Sequence, residues 1–402
     1  MPERRRPTGN QASLREANRS RIIAAVKRHG ALTQVELAGA TGLSPATVSN
    51  IVKELSTSGV LSTSPSTRSG RRAQRVTLAH QLGLLIGIHI STRHMHVALA
   101  DTRYTVVTEH RMPLARDHRA DRELDNAALM ITDMIESVEV ERDEILGIGI
   151  AVSAPIDRRT GTVARHGIMR GWDAVPIAEK MALRTGCPTY VENSSNLAAL
   201  AELRLGAARG KSDVLVLELS DGIGAGIIAD GHVLRGHHGT AGEFGHMIVD
   251  ARGPVCRCGN RGCLEAVAGI EAVLDSVNAD LKRSVKFTDL VVAAMTGDAA
   301  SIRVIGDAGR SIGRAAGGLA NLLDPERVVV GGEFARAGEL LLGPMRHAFE
   351  SALLRDADGT PDVVQTHLDQ RGPVLGALAL AVDAVNVQDL VPRSGELVPR
   401  ND

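Results

Sequence analysis

A chain of 402 residues is too long for one ordinary hydrophobic core, so two or three domains are expected. It has no apolar run long enough to cross a bilayer and no signal-peptide core at its N-terminus, which argues against a membrane partner and predicts a soluble, cytoplasmic protein. The formal net charge of −1 conceals an asymmetry: the first 80 residues hold 13 Lys and Arg against 4 Asp and Glu, the remainder 33 against 43. A basic head on an acidic body predicts that the head meets a polyanion. A solvated tail would account for Arg4, Arg5 and Arg6 but not for the arginines that follow.

In chain order, Ser13-Leu14-Arg15-Glu16 has the form of a capping box ahead of an apolar stripe at Ile22, Ile23 and Val26, and Gly30 ends that helix. Thr33-Gln34-Val35-Glu36 repeats the capping-box form and opens a short second helix, Val35 to Ala40. Ser44 is a good N-cap, and Pro45 suits a first helical position, where no backbone donor is needed. The third helix, about Pro45 to Ser56, buries Val48, Ile51, Val52 and Leu55. Its other face offers Ala46, Thr47, Ser49, Asn50 and Lys53, a small, polar and basic surface suited to a major groove. Val60 to Leu61 and Gln74 to Leu78 read as strands flanking a basic wing, Ser64 to Arg72, in which Arg68, Arg71 and Arg72 are phosphate or minor-groove contacts. Residues 1–80 are thus expected to form a winged helix-turn-helix that binds double-stranded DNA.

Beyond it, Leu84 to Ile90, His96 to Asp101 and Val106 to Arg111 read as consecutive strands, followed by a helix near Asp121 to Val138 and the strand Ile145 to Ala151. A second set begins with Val214 to Leu219, Gly224 to Ala229 and His232 to Leu234, and continues through helices to the strand Arg327 to Val330. Two copies of a meander followed by alternating helices and strands predict two α/β lobes, 81–212 and 213–386, with a ligand cleft between them. Residues 387–402, with a repeated Leu-Val-Pro-Arg, read as a disordered tail. Cys256-Arg257-Cys258-Gly259-Asn260-Arg261-Gly262-Cys263 places three thiols within eight residues, and the two glycines allow the sulfurs to converge. That pattern reads as a metal site, and thiolates favour zinc. Tetrahedral zinc needs a fourth ligand, for which His246, ten residues upstream, is the best candidate. Cys187 reads as a plain core residue.

These residues carry a specific resemblance. From about Leu84 to Asn386 the body resembles the ROK family, which contains sugar kinases and sugar-responsive repressors on a ribonuclease-H-like, actin-type fold. The resemblance rests on Gly147-Ile148-Gly149-Ile150, Val191-Glu192-Asn193, Asn196, Gly239 through His246, the cysteine cluster through Glu265, and Asn321 through Pro325. It implies that His246, Cys256, Cys258 and Cys263 hold a structural zinc, and that Asn193, Glu243, His246 and Glu265 bind a sugar. The segment Ala151 to Pro155 would close the pocket from the other lobe, with Ala154 in place of the usual Gly.

The same resemblance exposes two gaps in the kinase machinery. The kinases follow Glu-Asn with an aspartate base, and here Ser194 stands in its place. A serine hydroxyl is no base near neutral pH, and loss of a general base costs ~10²–10⁴-fold in rate. The first phosphate loop of the kinases, Asp-Ile-Gly-Gly-Thr, is replaced by His89-Ile90-Ser91-Thr92-Arg93. The second, Ser220 through Gly226, keeps its glycines but carries Asp221, which would repel phosphate. The expectation is therefore a carbohydrate-responsive transcriptional regulator, a repressor without enzymatic activity. It would act as a homodimer or homotetramer on an inverted-repeat operator. An active sugar kinase with a DNA-binding head is the alternative, and a DNA-binding scaffold with an empty cleft is a third.

Overall fold

The computed structural model describes residues 11–68, 71–79, 82–165, 167–281, 285–354 and 359–386. The head contains helices α1 (Gln11–His29), α2 (Gln34–Thr41) and α3 (Pro45–Thr57) and strands β1 (Leu32–Thr33), β2 (Leu61–Arg68) and β3 (Arg71–Leu78). Its caps are chemically explicit. Thr33 Oγ1 accepts from Glu36 N at 3.3 Å while Glu36 Oε2 accepts from Thr33 N at 2.7 Å, a reciprocal capping box. Ser44 Oγ accepts from Thr47 N at 3.1 Å, and Gly30 and Gly42 close the preceding helices in the left-handed conformation. One expectation fails here: Ser13 is no cap, because α1 is already running at Gln11. The wing also differs, since β2 and β3 extend through most of Ser64 to Arg72 and pair up to Arg68 with Arg71. Pro65 and the serines around it argue against a strand locally, and cross-strand pairing overrides them.

The first lobe comprises β4 (Leu84–Ile90), β5 (His94–Asp101), β6 (Val106–Pro113), α4 (Ala120–Ser137), β7 (Ile145–Val152), α5 (Ile177–Thr185), β8 (Thr189–Asn193) and α6 (Ser194–Leu205). The second comprises β9 (Val214–Leu219), β10 (Ile223–Ala229), β11 (His232–Val233), α7 (Leu264–Ala268), α8 (Ile270–Leu281), α9 (Phe287–Met295), α10 (Ala299–Leu323), β12 (Arg327–Gly331), α11 (Glu339–Glu350), β13 (Asp362–Gln365) and α12 (Gly372–Ala384). The two sheets have one wiring, β6-β5-β4-β7-β8 and β11-β10-β9-β12-β13: an antiparallel meander followed by two strands parallel to its first. The near-continuous apolar runs of β4, β7 and β12 fit strands buried on both faces.

Two helices exchange lobes. α6 leaves the first lobe and packs on β9 and β10 of the second, while α12 leaves the second and packs on β4 and β7 of the first. Small residues make the approach possible: a Cβ on Gly149 would collide with the Ala377 carbonyl of α12, and one on Gly376 with the Leu197 carbonyl of α6. The head does not hang from a tether. Ile22, Val26, Val48, Val52 and Leu78 belong to one apolar cluster with Leu85, Ala201, Leu378 and Val382 of the body.

Candidate functional site

The turn after β4 and the turn after β9 face each other across a cleft with about 620 Å³ of space free of atoms. The first lobe contributes His89, Thr92, Ser153 and Pro155, and the N-terminus of α6 contributes Asn193, Ser194 and Ser195. The second lobe contributes Glu218, Asp221, Glu243, His246 and Glu265. All four residues expected to meet a sugar therefore line one cavity. Their states differ. Asn193 is held at both ends, its Oδ1 capping α6 through Ser195 N at 2.8 Å and its Nδ2 donating to Ala154 O at 3.0 Å. Glu265 accepts from Ile223 N at 3.0 Å and pairs with Arg257 Nε at 2.7 Å. The Glu243 carboxylate makes no hydrogen bond among the described residues, and burial, reinforced by the Glu265 charge, pushes its carboxyl up to about 7. The absence of a side chain at Gly222 makes room for Glu265, whose carboxylate a Cβ there would strike.

Where the resemblance to sugar kinases would put a base, the cleft holds a string of weak groups. Ser194 Oγ donates to Ser153 Oγ at 3.3 Å, and Ser153 meets His89 Nε2 at 3.2 Å. Burial, with His94 beside it, holds His89 well below its ordinary value, so its imidazole is neutral. It replaces an acidic residue with a group carrying no charge for a cation to use.

Where the two phosphate loops meet, the chain supplies its own ions. Arg93 of the first loop pairs through Nε with Asp221 Oδ1 of the second, and its Nη2 donates to Glu333 Oε2 beyond β12 at 2.6 Å. Thr92 Oγ1 donates to Asp221 Oδ2 at 2.8 Å. Burial alone would raise Asp221, but the Arg93 charge and these bonds outweigh it and hold the carboxyl below its usual range. The pairing of Arg93 with Glu333 escapes a reading of the sequence, because no local pattern joins residues 240 positions apart. Glu218 also escaped it. Burial pushes its carboxyl up to about 7, against the bond it accepts from Ser220 Oγ at 2.7 Å.

Beside the cleft, the ligand atoms of His246, Cys256, Cys258 and Cys263 lie within 4.8 Å of one another. His246 Nδ1 is 3.6 Å from Cys256 Sγ, and Cys258 Sγ is 3.6 Å from Cys263 Sγ. Zinc with ~2.3 Å bonds to sulfur places tetrahedral thiolates about 3.8 Å apart, so the donors fit a metal. Gly259 and Gly262, at φ 89° and 70°, make the turns that bring the sulfurs together. The other ring nitrogen of His246 faces Glu243 Oε2 at 3.8 Å, on the side of the cleft. Cys187 lies apart, half-buried against the first-lobe core.

On the head, α3 buries Val48, Ile51, Val52 and Leu55 and exposes Ala46, Ser49, Asn50 and Lys53. Thr47 is half-buried and its hydroxyl is engaged with Ser44 Oγ at 2.8 Å. Arg68, Arg71 and Arg72 sit at the tip of the β2–β3 hairpin along the backbone, and their side chains lie outside the described residues, as do Arg4 to Arg6 and the Leu-Val-Pro-Arg repeat. No helix among the described residues is long and apolar enough to cross a membrane.

Comparison with known proteins agrees with this anatomy. A protein of Caldicellulosiruptor sp. strain Rt8B.4 described as a putative xylose repressor is 27% identical over 389 residues, spanning 93% of this chain and 97% of its own length. A glucokinase of Thermotoga maritima is 30% identical over 315 residues, 75% of this chain and 98% of the enzyme. A crystal structure of a ROK family transcriptional regulator, described as a homologue of the E. coli Mlc protein, shares the fold with a TM-score of 0.76 over 94% of this chain and 99% of that one, at 22% identity. Residues 15–62 match the winged helix-turn-helix DNA-binding model and residues 85–384 the ROK model. The chain belongs to the ROK family and carries a winged helix-turn-helix head.

Proposed function

We propose that this protein is a sugar-responsive transcriptional repressor whose kinase-like body binds its effector without phosphorylating it. The observation that carries the reading is the Arg93–Asp221–Glu333 ion network between the phosphate loops, in a cleft where Ser194 occupies the position of the base. Phosphate entering there would displace two carboxylates from Arg93 and meet their charge. The kinase relatives and the repressor relative favour a sugar as the ligand class, and Glu243 is the carboxylate left to accept from its hydroxyls, with Asn193, His246 and Glu265 around it. Zinc on His246, Cys256, Cys258 and Cys263 would tie the loop carrying Glu243 to the helix carrying Glu265. In the same reading the chain divides near residues 80 and 212, and two copies place their α3 helices in successive major grooves of an inverted repeat.

Ligand binding shifts DNA affinity only through different affinities for the DNA-competent and DNA-free arrangements. Thermal-shift screening of the full chain against a panel of sugars, followed by operator titration with the hit, tests this. A sugar that raises the melting temperature and changes operator affinity is the expected result. ATP-dependent phosphorylation of that sugar at about 1 per second or faster would overturn the reading.

A further inference from the structure

The joint between head and body contains a second cavity, separate from the interlobe cleft. It spans about 520 Å³ of atom-free space, part of it open solvent, and is lined from the head by Val26, Lys27, Gly30 and Leu78, and from the body by residues that include Tyr104, Arg204 and Arg209. Its charge is one-sided. Lys27, Arg103, Arg204 and Arg209 line it and no carboxylate does. Two carboxylates stand behind the lining: Asp383 accepts from Arg204 at 2.9 Å, and Asp101 pairs with Arg103 at 3.1 Å. Four cations against two carboxylates leave a positive surplus facing the cavity. The Lys27 ammonium donates to the main-chain carbonyls of Val385 and Asp383. The exposed Arg209 side chain has no hydrogen bond or ion pair among the described residues.

Two buried polar atoms point to an occupant. Arg204, with its side chain 7% exposed, spends Nη1 on Arg28 O and Nη2 on Asp383, but its Nε has no partner. The Tyr104 hydroxyl is also buried; the Arg204 guanidinium beside it can only donate, so the proton of the phenol has no acceptor of hydrogen-bonding geometry among the described residues. Leaving such groups unsatisfied costs about 1–3 kcal/mol each, so they are normally met by a bound molecule or ordered water. Both are donors here, since burial keeps the Tyr104 phenol protonated. Donors and surplus positive charge around a small cavity suit an acceptor-rich anion, not a neutral sugar.

We propose that the head–body joint is a binding site for a small tetrahedral oxyanion, a phosphate group free or carried on a small metabolite. Tyr104 Oη, Arg204 Nε and Arg209 would donate to it. With head residues on one wall and body residues on the other, the anion stabilises the docked head and supplies a second input to DNA binding.

The test is a thermal-shift and calorimetric titration of the full chain with inorganic phosphate, sulfate and glycerol 3-phosphate, against chloride at matched ionic strength. Phosphate and sulfate are expected to raise the melting temperature where chloride does not. Glycerol 3-phosphate distinguishes a carried group from the free ion by binding tighter or weaker than phosphate. Arg209→Ala should leave the ligand-free melting temperature unchanged and weaken phosphate binding about tenfold or more, the loss of one hydrogen bond to a charged group. Tyr104→Phe should keep or raise the ligand-free melting temperature while reducing the phosphate response, an opposition that a purely structural tyrosine would not produce. The proposal is overturned if chloride matches phosphate, or if the response survives Arg209→Ala and disappears in an Arg71→Ala/Arg72→Ala variant, which would place the anion on the DNA-binding face.

Discussion

Ser194 illustrates how one atom's chemistry constrains function. Its hydroxyl is committed to Ser153, which meets His89, and burial holds that imidazole so far below its ordinary value that it is a poor base for a sugar hydroxyl. We expect Ser194→Asp to remain without phosphotransfer in a coupled ATP assay, because Arg93, Asp221 and Glu333 still occupy the phosphate position. Glu218 gives a signature in stability. Its carboxyl titrates near 4.5 in the unfolded chain and is pushed up to about 7 by burial in the fold, with Glu202 and Asp221 adding to the effect. Across that window the unfolded chain is charged while the fold retains a proton, so stability falls as pH rises from about 4.5 to about 7 and is level above it. The contribution is on the order of 3 kcal/mol. Urea unfolding at a series of pH values should show that slope reduced in Glu218→Gln, and an unchanged slope would assign it to other groups. Ser194 and His89 were legible in the sequence because each breaks a motif at a known position. Arg93 and Glu333 were not, since their meaning appears only when the two lobes bring them together.

At the scale of the element, the cysteine loop and the winged helix were the most legible parts, for the same reason: each is specified by neighbours in sequence. Caps, proline and the apolar stripe place α3 to within a residue of its observed end, and three thiols with two glycines specify a loop. The hairpin after α3 was read too short because Pro65 and its neighbouring serines speak against a strand until a partner is paired with them. The loop prediction is that fresh protein contains about one zinc per chain and that Cys258→Ser loses it. Metal analysis should show that loss together with lower thermal stability and weaker sugar affinity, because the loop orients Glu243 and Glu265. For the head, Asn50→Ala is expected to lower discrimination between operator and random DNA by about 1–3 kcal/mol, the worth of a good bidentate base contact. Arg71→Ala should weaken both DNAs alike and reduce the salt slope by about one. If titrations at several salt concentrations give the reverse pattern, helix and hairpin exchange their roles.

At the scale of the whole molecule, the two sheets repeat one plan and exchange their last helices, and the head shares a core with the body. The duplication was visible in the sequence as a repeated strand meander. The docking of the head was not, because Arg28, Arg204 and Asp383 lie far apart in the chain. Arg204→Ala removes a buried guanidinium that holds both Arg28 O and Asp383. It should destabilise the chain by roughly 1–3 kcal/mol, mainly by leaving the Arg28 carbonyl unpaired while the part-exposed Asp383 returns to water, with amide exchange in α1 rising more than in β4 or β7. Uniform acceleration would mean that Arg204 supports the body alone. The placement of α6 has a mechanical consequence. It starts at Asn193, in the wall of the interlobe cleft, and near its other end presents Arg204 to the last turn of α1. Twelve residues of helix make a rod about 18 Å long, so a tilt of about 10° at the cleft carries the far end through about 3 Å, the span of a hydrogen bond. If closing of the cleft on a ligand tilts α6, the helix acts as a lever that delivers the motion to the head, with a gain set by the number of residues between Asn193 and Arg204.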